Sequence, residues 1–519
     1  MAFTGTLLPY QVEAVEAMVA RKKMLVAYDL GLGKTVLTIA ALEELDIQEP
    51  GLVICLSSLK YQWAEQIRKF TDAGSPLVID GTPKQRAQQY QEALSGAHSH
   101  IIVNYEQVVN DWEQIRQLPM GFIVCDEATA IKSFRSKRSK YVKKLESSVR
   151  FALTGTPIEN GKPEELYSIM QFVDAKVLGR FDLFDKTFIV RNHFGGVERY
   201  RNLPTLNKSL SAAAVRKRQT DDDVAPYLPD SIFAEPILVP FDSASVKLYN
   251  RIKNDLLNDL DEAVDAFGSA FDIFAHYGHQ DSESGYKGEL KGKIMAKLTS
   301  LRMLCDHPDL VKISGSLYQP GLGKGSKYAS ELLSAGHLDI NFKTPKLNVL
   351  KEYTENFLEE DEANKLVIFT SYVKMVDLIK DALDYPSETY TGQMNAKDKE
   401  DAKVRFQTNP ACRILISSDA GGYGVDLPQA NLLINYDLPW NAGLAVQRNG
   451  RIRRASSTWK RIVIQDILMA GSIEERQHSL LQQKNAIANA VVDGEGIDDK
   501  GGVALNVGSL KAFLQEIYV

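Results

Sequence analysis

Asp126 and Glu127 are adjacent carboxylates at the end of the apolar run FIVCD, and Lys34 and Thr35 follow the glycines of YDLGLGKT. Adjacent acids at the carboxyl edge of a strand can divide one task, Asp126 holding a divalent cation while Glu127 orients and deprotonates an attacking water. The glycine loop offers the complement of that chemistry. A phosphate needs converging backbone N–H groups, a cation and a hydroxyl at a helix start. Gly31 and Gly33 let the backbone approach the anion, Lys34 reaches its outer oxygens and Thr35 turns a hydroxyl toward the metal. Tyr28 stands six residues before the lysine, where the general pattern has a small residue. A second GLGK, at 321–324, is preceded by Pro320 and followed by Gly325 instead of a hydroxyl residue, and is read as a flexible loop.

Downstream, the glycine-rich ISSDAGGYGVDLP is followed by VQRNGRIRR, which carries Gln447, Arg448, Arg451, Arg453 and Arg454. Guanidinium groups neutralise charge that builds on a transferred phosphoryl group, so Arg451 and Arg454, with Gln447 of the same motif, join Lys34, Asp126 and Glu127 as catalytic candidates. If Arg448, Arg451 and Arg454 share a helix, their spacing of three places them on one face. Thr154 and Thr156 in LTGTP are short hydroxyl residues suited to relaying a hydrogen-bond change away from the carboxylates.

Such groups need a scaffold that brings distant loops to one edge. Between Met24 and Gly155 the runs MLVAY, GLVICLS, PLVID, HIIVNY, GFIVCD and RFALTG alternate with helical patterns, which predicts a parallel sheet covered on both faces. The rhythm restarts with KLVIFTS, SETYTG, RILISS, NLLINYD and KRIVIQDIL, predicting a second α/β lobe. Between them, Tyr249, Ile252, Leu256, Leu260, Val264 and Phe267 recur at helical spacing, as do Ile294, Leu298, Leu301 and Cys305. These read as protruding helices separated by the polar loop GHQDSESGYKGELKGK, and Ile313 to Lys327 reads as a loop tethering the lobes. The expected division is 1–165 for the first lobe, 166–310 for the helical insertion, 311–345 for a linker, 346–490 for the second lobe and 491–519 for a C-terminal linker with a short docking helix bearing Leu510, Phe513, Leu514 and Ile517. The class is α/β, with two parallel-sheet lobes and helical insertions between them.

A chain of 519 residues with 44% hydrophobic content can bury several cores. Cys55, Cys125, Cys305 and Cys412 form no Cys-x-x-Cys pair, so neither zinc nor a disulfide framework is indicated, and His276 and His279 lack a third ligand nearby. The N-terminus MAFTGTLLPYQ has no basic start with an apolar core, and no run nears the roughly 18 apolar residues that span a bilayer. A cytoplasmic protein without membrane contact is expected. The net charge of -6 argues against a generally basic surface. One island, KSFRSKRSKYVKKLESSVR, sets Lys132, Arg135, Lys137, Arg138, Lys140, Lys143, Lys144 and Arg150 against Glu146 alone, and its place beside Asp126 and Glu127 suggests nucleic-acid contact.

The ordered series LLPYQ, GLGKT, LSSLKYQW, VNYEQV, DEATAIK, LTGTP, VIFTSY, SSDAGGYGVDLP, NYDLPWN and QRNGRIRR resembles the core of superfamily-two helicases, specifically the Swi/Snf-type ATPases. LRMLCDHP and YDLPWN resemble the Swi/Snf branch in particular. The resemblance implies two RecA-like lobes, ATP and Mg²⁺ as cofactors, and an ATPase that moves along double-stranded DNA. It implies that Gln11 recognises adenine while the loop of Gly31, Gly33, Lys34 and Thr35 binds the phosphates, that Thr35 and Asp126 hold the metal, and that Arg451 and Arg454 are arginine fingers. It also implies a nucleic-acid track along Ser57, Ser58, Asn104, Tyr105, Thr370, Ser371, Gly421 and Gly422. Two alternatives stay open, a strand-separating DNA or RNA helicase and a nucleotide-gated DNA clamp with little turnover, and single-stranded DNA or RNA is a possible partner beside the duplex. Protein partners are unknown.

Overall fold

The computed structural model describes residues 3–72, 74–191, 193, 196–269, 285–419, 425–494 and 507–516. Short runs of Val, Ile and Leu, buried on both faces, form its central strands, as expected where helices cover a parallel sheet. In chain order these are β1 (Lys23–Tyr28), β2 (Gly51–Cys55), β3 (Pro76–Val78), β4 (His100–Asn104), β5 (Ile123–Asp126), β6 (Arg150–Leu153), the antiparallel hairpin β7 (Ile189–Arg191) and β8 (Val197–Tyr200), and β9 (Ala214–Lys217). The first sheet has seven strands in the order β3-β4-β2-β5-β6-β1-β9, all parallel.

The second sheet uses β10 (Asp230–Phe233), β11 (Ile237–Val239), β12 (Leu366–Thr370), β13 (Ser387–Tyr390), β14 (Ile414–Ser418), β15 (Leu432–Asn435) and β16 (Arg461–Met469). Its order is β10-β16-β15-β12-β14-β13, with β11 pairing farther along β16, again all parallel. The two parallel-sheet lobes are those expected from the two runs of alternating elements.

The boundaries differ from the expected ones. Strand β9 belongs to the first sheet, while β10 and β11 belong to the second, although all three fall in the stretch 166–310 assigned to the insertion. They are edge strands of three or four residues, too short to carry a periodic signal. The chain therefore crosses between lobes after β9, near residues 218–229, and not through Ile313 to Lys327. That latter stretch is a turn between two packed helices, Pro308–Ser316 and Lys327–Ser334, whose Leu310, Val311, Ala329 and Leu332 are buried. The second GLGK lies in this turn, where Gly321, Gly323 and Gly325 take positive φ.

The helices Ser243–Phe267 and Tyr286–Asp306 do not form a separate body. Their apolar faces share one cluster with Leu366, Ile368 and Ile416 of the second sheet. The second of them begins at Tyr286, inside the segment read as a loop. Buried polar contacts fix this joint: Lys346 Nζ donates to Asp306 Oδ1 at 3.0 Å and to Glu474 Oε1 at 2.6 Å, and the Tyr436 hydroxyl donates to the Asp306 carbonyl at 2.7 Å. The helix Val507–Glu516 docks onto Ser243–Phe267 through Val507, Leu510 and Leu514. Ile517, His276 and His279 lie outside the described residues.

The helix Ile473–Val492 joins the lobes. Ile473 and Leu480 pack in the second lobe, whereas Ile487, Ala490, Val491 and Val492 belong to the core of the first. Val491 and Val492 are thus part of this helix and not of the linker expected over 491–519; the Asn207 amide caps this end by donating to their carbonyls at 2.9 and 3.1 Å. Among the described residues no helix is long and apolar enough to cross a membrane.

Candidate active site

Strand β1 ends at Tyr28, whose hydroxyl donates to the Tyr10 carbonyl at 2.7 Å. This bulky residue is thus directed away from the loop, so its side chain does not fill the place where the usual pattern has a small one. Gly31 and Gly33 then take φ of +81° and +80°, a region in which a side chain is strained. Gly33 opens the helix Lys34–Glu44, whose first N–H groups and positive dipole end face the loop. Lys34 Nζ donates to the Tyr28 and Asp29 carbonyls at 2.9 and 3.2 Å, which holds the ammonium inside the loop it would share with an anion. Burial lowers the Lys34 pKa, partly offset by Glu127 and Asp126.

Gln11, on the helix Pro9–Arg21, accepts from the Leu8 N–H at 2.9 Å and donates to the Leu32 carbonyl at 3.1 Å. Its amide therefore touches the phosphate loop as well as the cleft, and a β-carbon on Gly33, 2.4 Å from Gln11 Nε2, would displace that amide.

At the end of β5 both Asp126 oxygens are oriented. Oδ2 accepts from Trp63 Nε1 at 2.8 Å and Oδ1 accepts from the Glu127 N–H at 2.9 Å. The Tyr105 hydroxyl donates to the Asp126 carbonyl at 2.7 Å from behind. Glu127 sits at φ 50°, ψ 55°, a left-handed conformation that costs a non-glycine residue roughly 1–2 kcal/mol and that turns its carboxylate into the cleft. Burial and the neighbouring Asp126 push the Glu127 carboxyl up to about 7, against the opposing pull of Lys34 and Arg451. Burial likewise raises Asp126.

The second lobe completes the site. A cleft of about 620 Å³ is lined by Gln11, Gly31, Gly33, Lys34, Thr35, Asp126 and Glu127 from the first lobe and by Asp426, Arg451 and Arg454 from the second. Arg454 Nη2 pairs with Asp426 at 2.5 Å, while its buried Nε has no hydrogen-bond partner among the described residues. That orphan donor, the two positive-φ glycines and the helix start suit a phosphate chain. One carboxylate and one hydroxyl, Asp126 and Thr35, suit a cation that takes its other ligands from phosphate oxygens and water. Among the described residues no group of three or more His, Cys, Asp or Glu forms a self-sufficient metal site.

The three arginines do not share a helix face. The helix Ala442–Asn449 stops at Gly450, which packs against Leu30 of the first lobe; a β-carbon there would lie 2.9 Å from Leu30 Cδ1. Arg451 and Arg454 follow in a turn that enters the cleft. Arg448 points into its own lobe, donating to Asp419 Oδ1 at 2.5 Å, to the Asp437 carbonyl at 2.5 Å and to Ser371 Oγ at 3.1 Å. Gln447 is buried beside it and is not among the residues lining the cleft.

The expected nucleic-acid track divides similarly. Ser57 and Ser58 are exposed on a short turn after β2, and Asn104 caps the helix Tyr105–Asn110 by accepting from the Gln107 N–H at 2.8 Å. Tyr105 is instead buried behind Asp126. Thr370 and Ser371 are instead spent on Asp437, to which their hydroxyls donate at 2.5 and 2.6 Å. Gly421 and Gly422 lie outside the described residues. In the basic island, Lys132 pairs with Glu159, Arg138 with Glu106, and Lys143 donates to Ser168 at 2.7 Å, while Arg135, Lys137, Lys140 and Lys144 are exposed.

Thr154 Oγ1 accepts from the Thr156 N–H at 3.1 Å, and Gly155 between them abuts the phosphate loop at Leu30. Thr156 Oγ1 is buried without a hydrogen-bond partner among the described residues. Just beyond, the Glu159 carbonyl accepts from the Ala442 and Gly443 N–H groups at 3.1 and 3.3 Å, capping a helix of the opposite lobe, and its carboxylate accepts from Asn441 Nδ2 at 3.0 Å. Sequence reading had singled out neither Glu159 nor Asn441 nor Trp63 for a role, although Trp63 and Asn441 stand within quoted motifs.

Comparison with known proteins agrees with this architecture. The SNF2-related domain model matches residues 10–310 and the helicase conserved C-terminal domain model matches residues 345–456. The chain is 25% identical over 511 residues to the putative ATP-dependent helicase/translocase YwqA of Bacillus subtilis, covering 95% of this chain and 50% of the relative. It is 26% identical to the human DNA repair and recombination protein RAD54-like, covering 91% of this chain and 63% of the relative, and 24% identical to the ISWI chromatin-remodeling complex ATPase ISW1 of Saccharomyces cerevisiae, covering 94% and 41%. The chain thus spans between 41% and 63% of the length of these relatives. Among solved structures, the Pyrococcus furiosus Hef helicase domain matches with a TM-score of 0.51 at 16% identity, covering 91% of this chain and 99% of that one, which shows the shared fold. A SNF2-related domain matched over residues 10–310 of a 519-residue chain is more than half of it: the chain belongs to the SNF2 family.

Proposed function

We propose that the chain is an ATP-driven motor that tracks along double-stranded DNA, hydrolysing ATP between its two lobes. The observation that carries this reading is the shared cleft, in which Lys34 and the glycine loop of one lobe face Arg451 and Arg454 of the other. A site split in this way makes hydrolysis depend on lobe closure, and a cycle of closure and opening is what a stepping motor needs.

In this reading Gly31, Gly33 and Lys34 hold the β- and γ-phosphates, and Gln11 reads the adenine while supporting the loop. Thr35 and Asp126 would hold Mg²⁺, which supplies charge neutralisation at the phosphates. Glu127 accepts a proton from the attacking water, which its raised pKa suits. Arg451 and Arg454 meet the charge that develops on the transferred group. Thr154 and Thr156, on either side of Gly155 where it abuts the phosphate loop, relay closure.

DNA as the track is supported by the relatives, one named for DNA repair and recombination and another as a helicase/translocase. The test is ATP turnover with duplex, forked and single-stranded DNA and with RNA, followed by a strand-displacement assay. Stimulation by duplex DNA that falls steeply with salt, without strand separation, is the expected result. Activation by RNA alone, or displacement of a strand, would replace it with the helicase reading, and negligible phosphate release with every ligand would leave a clamp.

A further inference from the structure

The segment that carries the chain out of the first lobe is tied to both sides of the cleft. Arg216, in β9, donates from Nη1 to Asp29 Oδ1 at 2.6 Å and from Nε to Asp493 Oδ1 at 2.6 Å, so the start of the phosphate loop is bound to the end of the lobe-spanning helix. Three residues later, Gln219 reaches farther. Its main-chain N–H donates to Asp29 Oδ2 at 3.0 Å and its carbonyl accepts from Arg453 Nη2 at 3.3 Å. Its side-chain Nε2 donates to the Leu30 carbonyl at 2.7 Å and to the Arg453 carbonyl at 3.3 Å.

Leu30 directly precedes Gly31, and Arg453 directly precedes Arg454. One carboxamide, 8% exposed, therefore holds the carbonyl before the phosphate-loop glycine and the carbonyl before the cleft arginine. A buried glutamine that needed only satisfaction could find both acceptors within one lobe. Here its two N–H bonds are divided between lobes, the shorter to its own lobe and the longer to the other. Gln219 is not among the residues lining the cleft, so it would act through its neighbours and not on the nucleotide.

We propose that Gln219 is a positioning residue for phosphoryl transfer: by bonding Leu30 and Arg453 at once, its carboxamide registers Arg454 over the phosphate loop when the lobes close. The inference rests on the ATPase reading of the cleft. Nucleotide binding draws mainly on the phosphate loop of the first lobe, whereas the arginine contributes most in the transition state, so loss of the bridge should lower kcat far more than ground-state affinity.

Gln219→Met keeps the volume and both main-chain bonds but removes the donors, and Gln219→Lys restores a donor. Measured on the full chain are kcat and KM for DNA-stimulated ATP turnover, the affinity of a fluorescent ATP analogue without DNA, and Tm. Gln219→Met is expected to lose about tenfold to a hundredfold in kcat, the scale on which a misplaced catalytic group acts, with affinity within about threefold. Gln219→Lys should recover part of the loss at the same Tm. An active unmutated chain with an equally active Gln219→Met overturns the inference, as does a parallel fall of kcat, affinity and Tm that Gln219→Lys does not relieve. A silent unmutated chain would instead overturn the ATPase reading, and this inference with it.

Discussion

Arg454 of the second lobe lies against Gly31 of the first: a β-carbon built on Gly31 would stand 3.0 Å from Arg454 Cδ and 3.1 Å from its Nη1. The same relation recurs twice along this interface. A β-carbon on Gly443 would meet Glu159 Cγ at 2.4 Å, and one on Gly450 would meet Leu30 Cδ1 at 2.9 Å. Glycines on both lobes make room for a residue of the other. Gly31 carries a second constraint, its φ of +81°. Gly31→Ala should therefore cost about 1–2 kcal/mol in backbone strain and also push the arginine turn outward. ATP turnover is expected to fall at least tenfold with a modest loss of Tm; turnover at the unmutated rate would mean that the two residues separate before the chemical step.

Glu127 and Asp126 differ in what their removal should do. Asp126 keeps its orientation from Trp63 and the Glu127 N–H whatever side chain stands at 127. Glu127→Gln should thus bind nucleotide as tightly as the unmutated chain and lose roughly 10²–10⁴-fold in kcat, the range of a positioned base. Lys34→Ala should lose affinity as well as turnover. Calorimetric titration of ATP against both variants, beside phosphate release, separates the two patterns. Full activity in Glu127→Gln would reassign the base.

The elevated Glu127 pKa has a sign that can be checked twice. Burial raises it from the ordinary 4.5 to about 7, so between these values the folded state keeps a proton that the unfolded state has lost. Stability then declines as pH rises through that window, because the folded state binds more protons there. Glu127→Gln removes the penalty and is expected to melt higher than the unmutated chain at pH 8, by roughly a few degrees, with the difference vanishing near pH 4. As a base Glu127 must be deprotonated, so kcat/KM should rise with pH and level off above about 7. A Tm difference equal at both pH values would show that the carboxyl is not shifted.

Much of this is legible in the sequence, and the reason is locality. Each strand of the two sheets longer than four residues, from Lys23–Tyr28 to Arg461–Met469, coincides with an apolar run flanked by turn residues, and the phosphate loop is defined by neighbours in sequence. What escaped depends on distant partners. Tyr105 resembles a surface contact until Asp126 is seen in front of it, and Thr370 and Ser371 do so until Asp437 is placed between them and Arg448. The spacing of Arg448, Arg451 and Arg454 implies one helix face only if the helix continues, and Gly450 ended it to admit Leu30. Gln219 gave no signal at all, because its meaning lies in contacts with Leu30 and Arg453, far away in the chain.

Arg448 and Arg451, three residues apart, should consequently fail in opposite ways. Arg448 has a side chain only 1% exposed and is paired with Asp419 and Asp437. Burial alone would raise the Asp437 pKa, yet Arg448, Arg302 and the Ser371 and Thr370 hydroxyls outweigh it and hold that carboxyl below its usual range. Removing the guanidinium leaves a buried carboxylate without its main counter-charge, which costs about 3–5 kcal/mol. Arg448→Met should accordingly unfold the second lobe at markedly lower denaturant, whatever its effect on turnover. Arg451 faces the cleft and contributes to Glu127 electrostatically. Arg451→Ala should leave the denaturation midpoint nearly unchanged and reduce kcat by about 10³-fold, as loss of an arginine finger does. Urea titrations and ATP turnover on the two variants give the comparison, and a stable, inactive Arg448→Met beside an unstable, active Arg451→Ala would reverse the assignment of the two side chains.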